Sequence, residues 1–529
     1  MLGTSSGGLG TLDELLALRA RAEPFTREQA LGASYFGPLR ALDRWALSPA
    51  RLTQVLAACA SSTVAMGIGC RWLEAGACDL VIAGGYDALT LFAAAGFEAL
   101  GATTASVPRP FRRDRDGLAL GEGAALVALS SSFDGPVLGH VLGFGVGCDA
   151  VHVTAPDRTG AGLARAARAA LADAKVDRSR IDLISAHATA TPFNDSSEGH
   201  AIAAVIGPTA ERVVVHPFKA VAGHTLGAAG TLETLAALTA ASRGILPAAA
   251  GNGELESEFP ARLCAQNAPG NATHVLKLST AFGGANAALV LTPHAPRRPA
   301  GVRARHRVRL RALGEPQLVP DLALITAATK IPVFDLERFD NPSLLGLSAV
   351  AVLLQAQPLA TEARRSCGVI VGTMSASLEV NELFAMRMRE RGARGAEPRR
   401  FPATSPNLAP GRAAIAFGLL GPAFSVGASG WAALEALLLG IDLLEAGDAE
   451  ALLVVAVEDV GPVVRDVFAV AGLPQPEPGA IAALLDVGGS GLPLDSERLA
   501  ARLRAGQGQA PEQAPGWPLL MRALTSAQA

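Results

Sequence analysis

Aromatic residues are scarce in this sequence, with two Tyr and four Trp in 529 residues and 5% aromatics in all. Charged residues are also few, at 18%, while half of the chain is hydrophobic; that balance excludes a disordered chain and describes a globular one. The net charge is only −3 and no long basic block occurs, which excludes a nucleic-acid footprint. Arg greatly outnumbers Lys, a bias read as coding preference. Six cysteines (Cys59, Cys70, Cys78, Cys148, Cys264, Cys367) form no CxxC pair. They exclude a tight disulfide framework or zinc site and fit a reduced, cytoplasmic protein with one reactive thiol. No secretory signal opens the chain. The stretch Ala413–Leu434 carries no charge and is long enough to span a bilayer. Gly421-Pro422 would break a helix there in mid-span, so a buried strand, turn and helix is expected and no membrane span.

What the sequence does contain is small residues and repetition. Ala and Gly are abundant, which allows helices to pack closely. The length exceeds one ordinary core, so two domains or more are expected. Trp72-Leu-Glu-Ala-Gly76 and the following Leu80-Val-Ile-Ala83 resemble Leu444-Glu-Ala-Gly447 and Leu452-Leu-Val-Val-Ala456. Gly3-Thr4-Ser5 likewise matches Gly372-Thr373-Met374, and Glu122–Leu126 resembles Pro478–Ala482. Three landmarks in constant order imply one fold unit occurring twice. A Pro- and Arg-rich stretch at 293–306 reads as a linker, and the chain from 488 to 529 as a loose tail with a short helix near Trp517–Ala523. Apolar runs such as Asp182-Leu-Ile-Ser-Ala186 alternate with Ala-rich amphipathic stretches such as Gly162–Ala174, which predicts a layered α/β fold.

Four constellations carry chemistry. Ala58-Cys59-Ala60-Ser61-Ser62 lies between an apolar strand and a helix-like stretch, so Cys59 falls near a helix N-terminus, where unpaired N–H groups and the macrodipole favour a thiolate. A lone cysteine is more often a small buried hydrophobe, and both readings stand at this point. His187-Ala-Thr189-Ala-Thr191-Pro-Phe-Asn194-Asp195 follows a buried strand, where α/β proteins place ligands, although local hydroxyls could equally satisfy the ring. Lys219, His224 and Glu233 stand in a Gly- and Ala-rich segment and would be costly to bury unpaired. Thr280-Ala-Phe282-Gly-Gly-Ala-Asn286 is a turn able to aim N–H groups at a charge.

Taken together and in this order, the four motifs resemble the β-ketoacyl synthase family of the thiolase superfamily, over about residues 1–292. The resemblance implies a five-layered αβαβα fold, usually dimeric. It implies that Cys59 accepts an acyl chain from an acyl carrier protein. His187 and His224 would then hold the thioester carbonyl of malonyl-carrier protein as CO2 leaves, and the carbanion would attack the Cys59 thioester. It further implies pantetheine contacts from Thr189 and Thr191, and an oxyanion hole from the N–H groups of Cys59 and Phe282. The Phe282 ring would gate the acyl pocket, and Lys219, paired with Glu233, would tune the histidines. No metal or organic cofactor is expected; phosphopantetheine arrives on the carrier protein.

The pattern also departs from the family. Ala188 and Ala190 stand where relatives often carry Gly, and Thr280 stands where many have a second aromatic. Met1-Leu-Gly3 corresponds to the interior of the usual domain, with its first strand and helix missing, and a misplaced start is the simplest expectation. The resulting division is a synthase domain at 1–292, a linker at 293–306, an inactive second N-terminal half at 307–487 and a tail at 488–529. The second half resembles truncated chain-length-factor partners. Aligning Glu74 with Glu445 places Gly430 opposite Cys59, and no histidine follows His306. The expected function is decarboxylative condensation in fatty-acid, aryl-polyene or polyketide synthesis. A non-catalytic acyl-binding or scaffold subunit is the rival, and a degradative thiolase a weaker third. Arg109, Arg112, Arg113 and Arg115 could meet an acidic carrier protein or form a solvated loop.

Overall fold

A computed structural model describes residues 1–39, 42, 51–295, 305–427, 429–488, 491–506 and 515–525. The chain forms two compact units: Met1–Ser5, Ala57–Leu89 and Phe97–Arg303 make the first, and Ser6–Leu56, Thr90–Gly96 and Ala304–Ala529 the second. This differs from a contiguous boundary at 292, because residues 6–56 and 90–96 belong to the second unit. The reason is non-local pairing. Gln54–Leu56 pairs antiparallel with Ala423–Val426, and the helix Arg27–Ala33, started by a Thr26/Gln29 capping box, packs on the helix Pro462–Ala471. The expected linker falls mainly on 296–304, outside the described residues.

In the first unit, β1 (Leu2–Gly3), β2 (Leu80–Asp87) and β3 (Gly123–Ser130) form one sheet, β1 parallel to β2 and β2 antiparallel to β3. A second sheet holds β4 (His140–Cys148), β5 (Leu183–Ser185), β6 (Val214–His216), β7 (Val275–Thr280) and β8 (Ala285–Thr292), in the order β4-β8-β7-β5-β6. Helices α1 (Ser61–Glu74) and α4 (Ala229–Ser242) touch both sheets and form the layer between them. Gly230 makes that layer thin, since a Cβ there would lie 2.7 Å from the Thr63 backbone nitrogen. On the other face of the five-stranded sheet, α2 (Ala161–Ala174) and α3 (Pro192–Ile206) enclose an aliphatic core that includes Leu163, Ile184, Ile202, Leu276 and Leu278. Strand alternation therefore sends Leu276 and Leu278 toward α2 and α3, and Lys277 and Ser279 toward α1 and α4. Ser279 Oγ meets Thr63 Oγ1 of α1 at 2.8 Å, as that parity requires.

The second unit holds β9 (Val308–Leu313), β10 (Cys367–Gly372), β11 (Ala423–Val426), β12 (Ala451–Glu458), β13 (Gly479–Val487) and β14 (Leu492–Pro493). Their order is β14-β9-β13-β12-β10-β11, followed by Gln54–Leu56. Helix α5 (Asn341–Ala356) packs on β12 and β13, and α6 (Ala432–Ala446) on β10 and β12. The uncharged stretch at 413–434 is the end of a helix that stops at Phe417, a turn, β11 and the start of α6. Among the described residues no helix is long and apolar enough to cross a membrane. The expected loose tail is instead partly folded. Leu492–Pro493 pairs with β9, and α7 (Ser496–Gly506) is followed by α8 (Trp517–Thr525), which buries Leu519, Leu520, Ala523 and Leu524. Apolar residues on one helical face outweigh the Gly, Pro and Gln around them.

The internal repeat is visible in three dimensions. Strand β10 runs parallel to β12 and β12 antiparallel to β13, as β1, β2 and β3 do in the first unit. The offset of 371 that relates Glu74 to Glu445 also relates the first residue of α1, Ser61, to that of α6, Ala432, and Asp87 to Glu458.

Candidate active site

The turn carrying Cys59 is a single 3-10 segment, Ala58–Ala60, that leads straight into α1. Ala58 has φ +44°, so the chain reverses sharply at a residue with a side chain. Ser61 braces the turn, accepting from Ala57 N–H at 2.9 Å and donating to Ala58 O at 2.6 Å. Cys59 is 7% exposed. Burial pushes its thiol up to about 12, with the Lys219 charge acting the other way. Loss of water at this turn thus works against the thiolate that the helix start favours.

Two imidazoles complete the centre. His224 Nε2 lies 3.0 Å from Cys59 Sγ. Its Nδ1 accepts the Leu226 N–H at 3.2 Å, so the ring proton is on Nε2 and points at the sulfur. His187 stands edge-on to His224, with ring centroids 5.6 Å apart and planes at 88°. Lys219 Nζ lies 3.3 Å from His187 Nδ1, which sets the same Nε2–H tautomer. Both rings are buried, and desolvation first, then the Lys219 charge, holds their pKa well below the usual histidine value. They are neutral donors.

Beneath them lies a charged cluster. Lys219 Nζ and Glu233 Oε1 are 2.6 Å apart, and Glu233 Oε2 is 2.6 Å from Lys277 Nζ. The loop after β5 is tied down by α3. Glu198 accepts the N–H groups of His187 and Ala188 at 2.6 and 2.7 Å, and Asp195 accepts that of Ala190 at 3.1 Å. Burial raises Glu198 to about 7 and Asp195 to about 6. Ala188 and Ala190 both have positive φ, +45° and +61°, in the region that glycine favours. The Thr189 and Thr191 hydroxyls meet at 2.9 Å. The Phe282 ring stacks on Phe97 with centroids 5.8 Å apart, and Phe97 is in turn 6.5 Å from His224. Thr280 Oγ1 donates to Asn194 Oδ1 at 2.9 Å.

The structure thus gathers Cys59, His187, His224, Lys219 and Glu233 into one contact network, with Phe282 reached through Phe97. Sequence reasoning missed Glu198, Phe97 and Lys277; a lysine inside the apolar run Val275-Leu-Lys-Leu-Ser279 was the available signal. The arginine loop is largely occupied internally. Arg109 pairs with Asp114, Arg113 with Glu254, and Arg115 with Glu256. Among the described residues, no group of three or more His, Cys, Asp or Glu is placed to hold a metal ion. In the second unit, Gly430 precedes α6 where Cys59 precedes α1, and its neighbour Ser429 bonds Glu435 at 3.0 Å.

Residues 50–134 and again 326–491 match the β-ketoacyl synthase N-terminal domain, and residues 138–252 match the C-terminal domain. A 3-oxoacyl-[acyl-carrier-protein] synthase 2 of Synechocystis sp. is 31% identical over 264 residues, covering 47% of this chain and 63% of the relative. Nodulation protein E of Rhizobium meliloti is 34% identical over 243 residues, covering 44% and 60%. The chain therefore spans about three fifths of the length of these curated relatives. Among solved structures, the ishigamide ketosynthase/chain length factor is 33% identical with a TM-score of 0.50, covering 56% of this chain and 74% of that one. The PfaC keto synthase-chain length factor has a TM-score of 0.73 over 92% of this chain and 66% of its own, at 18% identity, a likeness of fold.

Proposed function

Because the chain belongs to the β-ketoacyl synthase family, with two stretches matching the N-terminal synthase domain and one the C-terminal domain, we propose that it is an acyltransferase joining an acyl thioester on Cys59 to a malonyl-carrier protein. The observation that carries this reading is the Cys59 Sγ to His224 Nε2 distance of 3.0 Å, with His187 edge-on beside it.

Transfer of the acyl chain from a carrier thioester to Cys59 exchanges one thioester for another. The Cys59 proton ends on the departing pantetheine sulfur, so a thiol raised to about 12 is no thermodynamic obstacle. Malonyl-carrier protein then loses CO2, and negative charge develops on its thioester oxygen. Two neutral Nε2–H donors in a dry pocket are suited to that oxygen, each worth about 3 kcal/mol by analogy with other oxyanion donors. The carbanion attacks the acyl carbonyl on Cys59, with the N–H groups of Cys59 and Phe282 in the oxyanion role, and the sulfur leaves as a thiolate that takes up a proton from solvent. Thr189 and Thr191 would bond the pantetheine arm, and Phe282 would gate the acyl pocket. Phosphopantetheine on the carrier protein is the only prosthetic group this scheme uses. The second unit, without a thiol at Gly430, would act as a chain-length factor, shaping the acyl pocket rather than reacting. Six free cysteines suit a reducing, cytoplasmic setting.

The test is incubation of purified protein with acyl- and malonyl-carrier protein, reading CO2 release and the mass of the Cys59 peptide. A folded protein that neither acquires an acyl group on Cys59 nor releases CO2 would refute the scheme and favour a scaffold subunit.

A further inference from the structure

Of the 45 Lys and Arg residues only four are Lys: Lys175, Lys219, Lys277 and Lys330. Two of those four hold the same carboxylate. Lys277 lies in the middle of β7, wholly buried between Leu276 and Leu278. Strand parity turns it to the α1 and α4 layer, where its Nζ sits 2.6 Å from Glu233 Oε2. Glu233 Oε1 is held by Lys219 at 2.6 Å, and Lys219 reaches on to His187 Nδ1 at 3.3 Å. An ammonium in a sheet interior is costly to desolvate, and a methionine of similar reach would fill the space without that cost. The second lysine therefore calls for a reason beyond packing.

We propose that Lys277 is a positioning residue of the condensation site: by occupying the second oxygen of Glu233 it leaves Lys219 directed at His187 Nδ1 and offsets the carboxylates beneath the two rings. This rests on the reading of the site given under Proposed function. The charged and titratable groups around the imidazoles are Cys59 from the nucleophile turn, Lys219 from the short helix Lys219–Ala222, and Glu233 from α4. To these are added Lys277 from β7, Glu198 and Asp195 from α3, and Asp87 at the end of β2. Whether Glu198 carries a charge or a proton, removal of Lys277 makes this environment more negative by one charge. Glu233 would then draw Lys219 onto both of its oxygens and away from His187. The rings would gain protons more readily, and a protonated ring is lost as a neutral donor with a fixed tautomer.

The experiment compares wild type, Lys277→Met and Lys277→Arg by the pH profile of CO2 release from malonyl-carrier protein. The acid limb of Lys277→Met is expected to move up by roughly one pH unit, while Lys277→Arg keeps the wild-type limb. Titration of labelled histidine rings by NMR gives the same comparison without turnover: the two buried rings should titrate at higher pH in Lys277→Met. If that variant does not fold, Lys277→Gln takes its place in both measurements. Unchanged limbs and unchanged ring titrations in the neutral variant, or a shift in Lys277→Arg as large as in Lys277→Met, overturn the proposal. A wild type that releases no CO2, with the rings of Lys277→Met still titrating at higher pH than its own, would instead sink the reaction scheme and leave the role of Lys277 standing.

Discussion

The two units finish their central strands with the same device and then part ways. In the first, Asp87 ends β2 and accepts the Thr4 hydroxyl at 2.7 Å and the Ser5 N–H at 2.8 Å. In the second, Glu458 ends β12 and accepts the N–H groups of Met374 and Ser375, both at 2.8 Å. In each case a buried carboxylate closes the loop that follows a β-strand glycine, Gly3 or Gly372. A few residues before the matching helix, however, one unit presents Cys59 and the other Gly430. The shared knot answers a demand of the backbone, since buried N–H groups must be bonded in either copy. The sulfur stands only in the unit where two histidines face it, and Gly430 has no histidine in the sequence beyond His306 to face.

That contrast can be broken at the nucleophile first. Cys59→Ala should lower condensation by at least about a thousandfold while shifting stability by only about 1 kcal/mol. Placing a thiol in the other unit, as Cys59→Ala/Gly430→Cys, should restore nothing. Recovery of acyl transfer in the double variant, read by product mass, would mean that the second copy is closer to an enzyme than its lack of histidine indicates.

The knots themselves offer a smaller effect. Burial raises Glu458 to about 7 from an ordinary 4.5. A folded-state value above the unfolded one means that the native protein holds the proton longer. The stability from this group is thus complete below about pH 4.5 and is lost as pH rises through about 7. The full difference is about 3 kcal/mol. Glu458→Gln should flatten that part of the pH dependence in chemical denaturation, relative to wild type. An unchanged slope would show that the carboxylate is held as an anion by its N–H partners.

The smallest effect tests the loop that only the first unit needs. Ala188→Gly and Ala190→Gly each relieve a left-handed alanine but add freedom to the unfolded chain, so each should raise stability by about 1 kcal/mol or less. Thermal melts measure this directly. Both methyl groups are fully buried, so a loss on either substitution would mean that their packing outweighs the relief of the left-handed backbone.

Much of this site could be read before any coordinates. Cys59, His187, His224, Lys219 and Glu233 lie in short motifs whose residue types are rarely buried without purpose, and the structure brings all five together. What could not be read depends on distance in sequence or on exclusion of water. Nothing in the local pattern of Gln54–Leu56 shows that its partner strand begins at Ala423, so the membership of residues 6–56 in the second compact unit is not legible in the sequence. The start of a helix argued for a thiolate at Cys59, yet its loss of solvent is a property of the whole fold. Lys277 passed unnoticed because a single charge in a strand usually faces water, and only the strand's register turns it inward. At the C-terminal end, composition hides what spacing shows: the apolar face of Trp517–Thr525 is legible in the sequence.

Glu198 and Asp195 lie three residues apart on α3 and grip the backbone at residues 187, 188 and 190. Helix and loop are thereby bolted into one piece. The backbone that carries His187 is therefore fixed by the seat of a helix, while the ring itself meets Lys219.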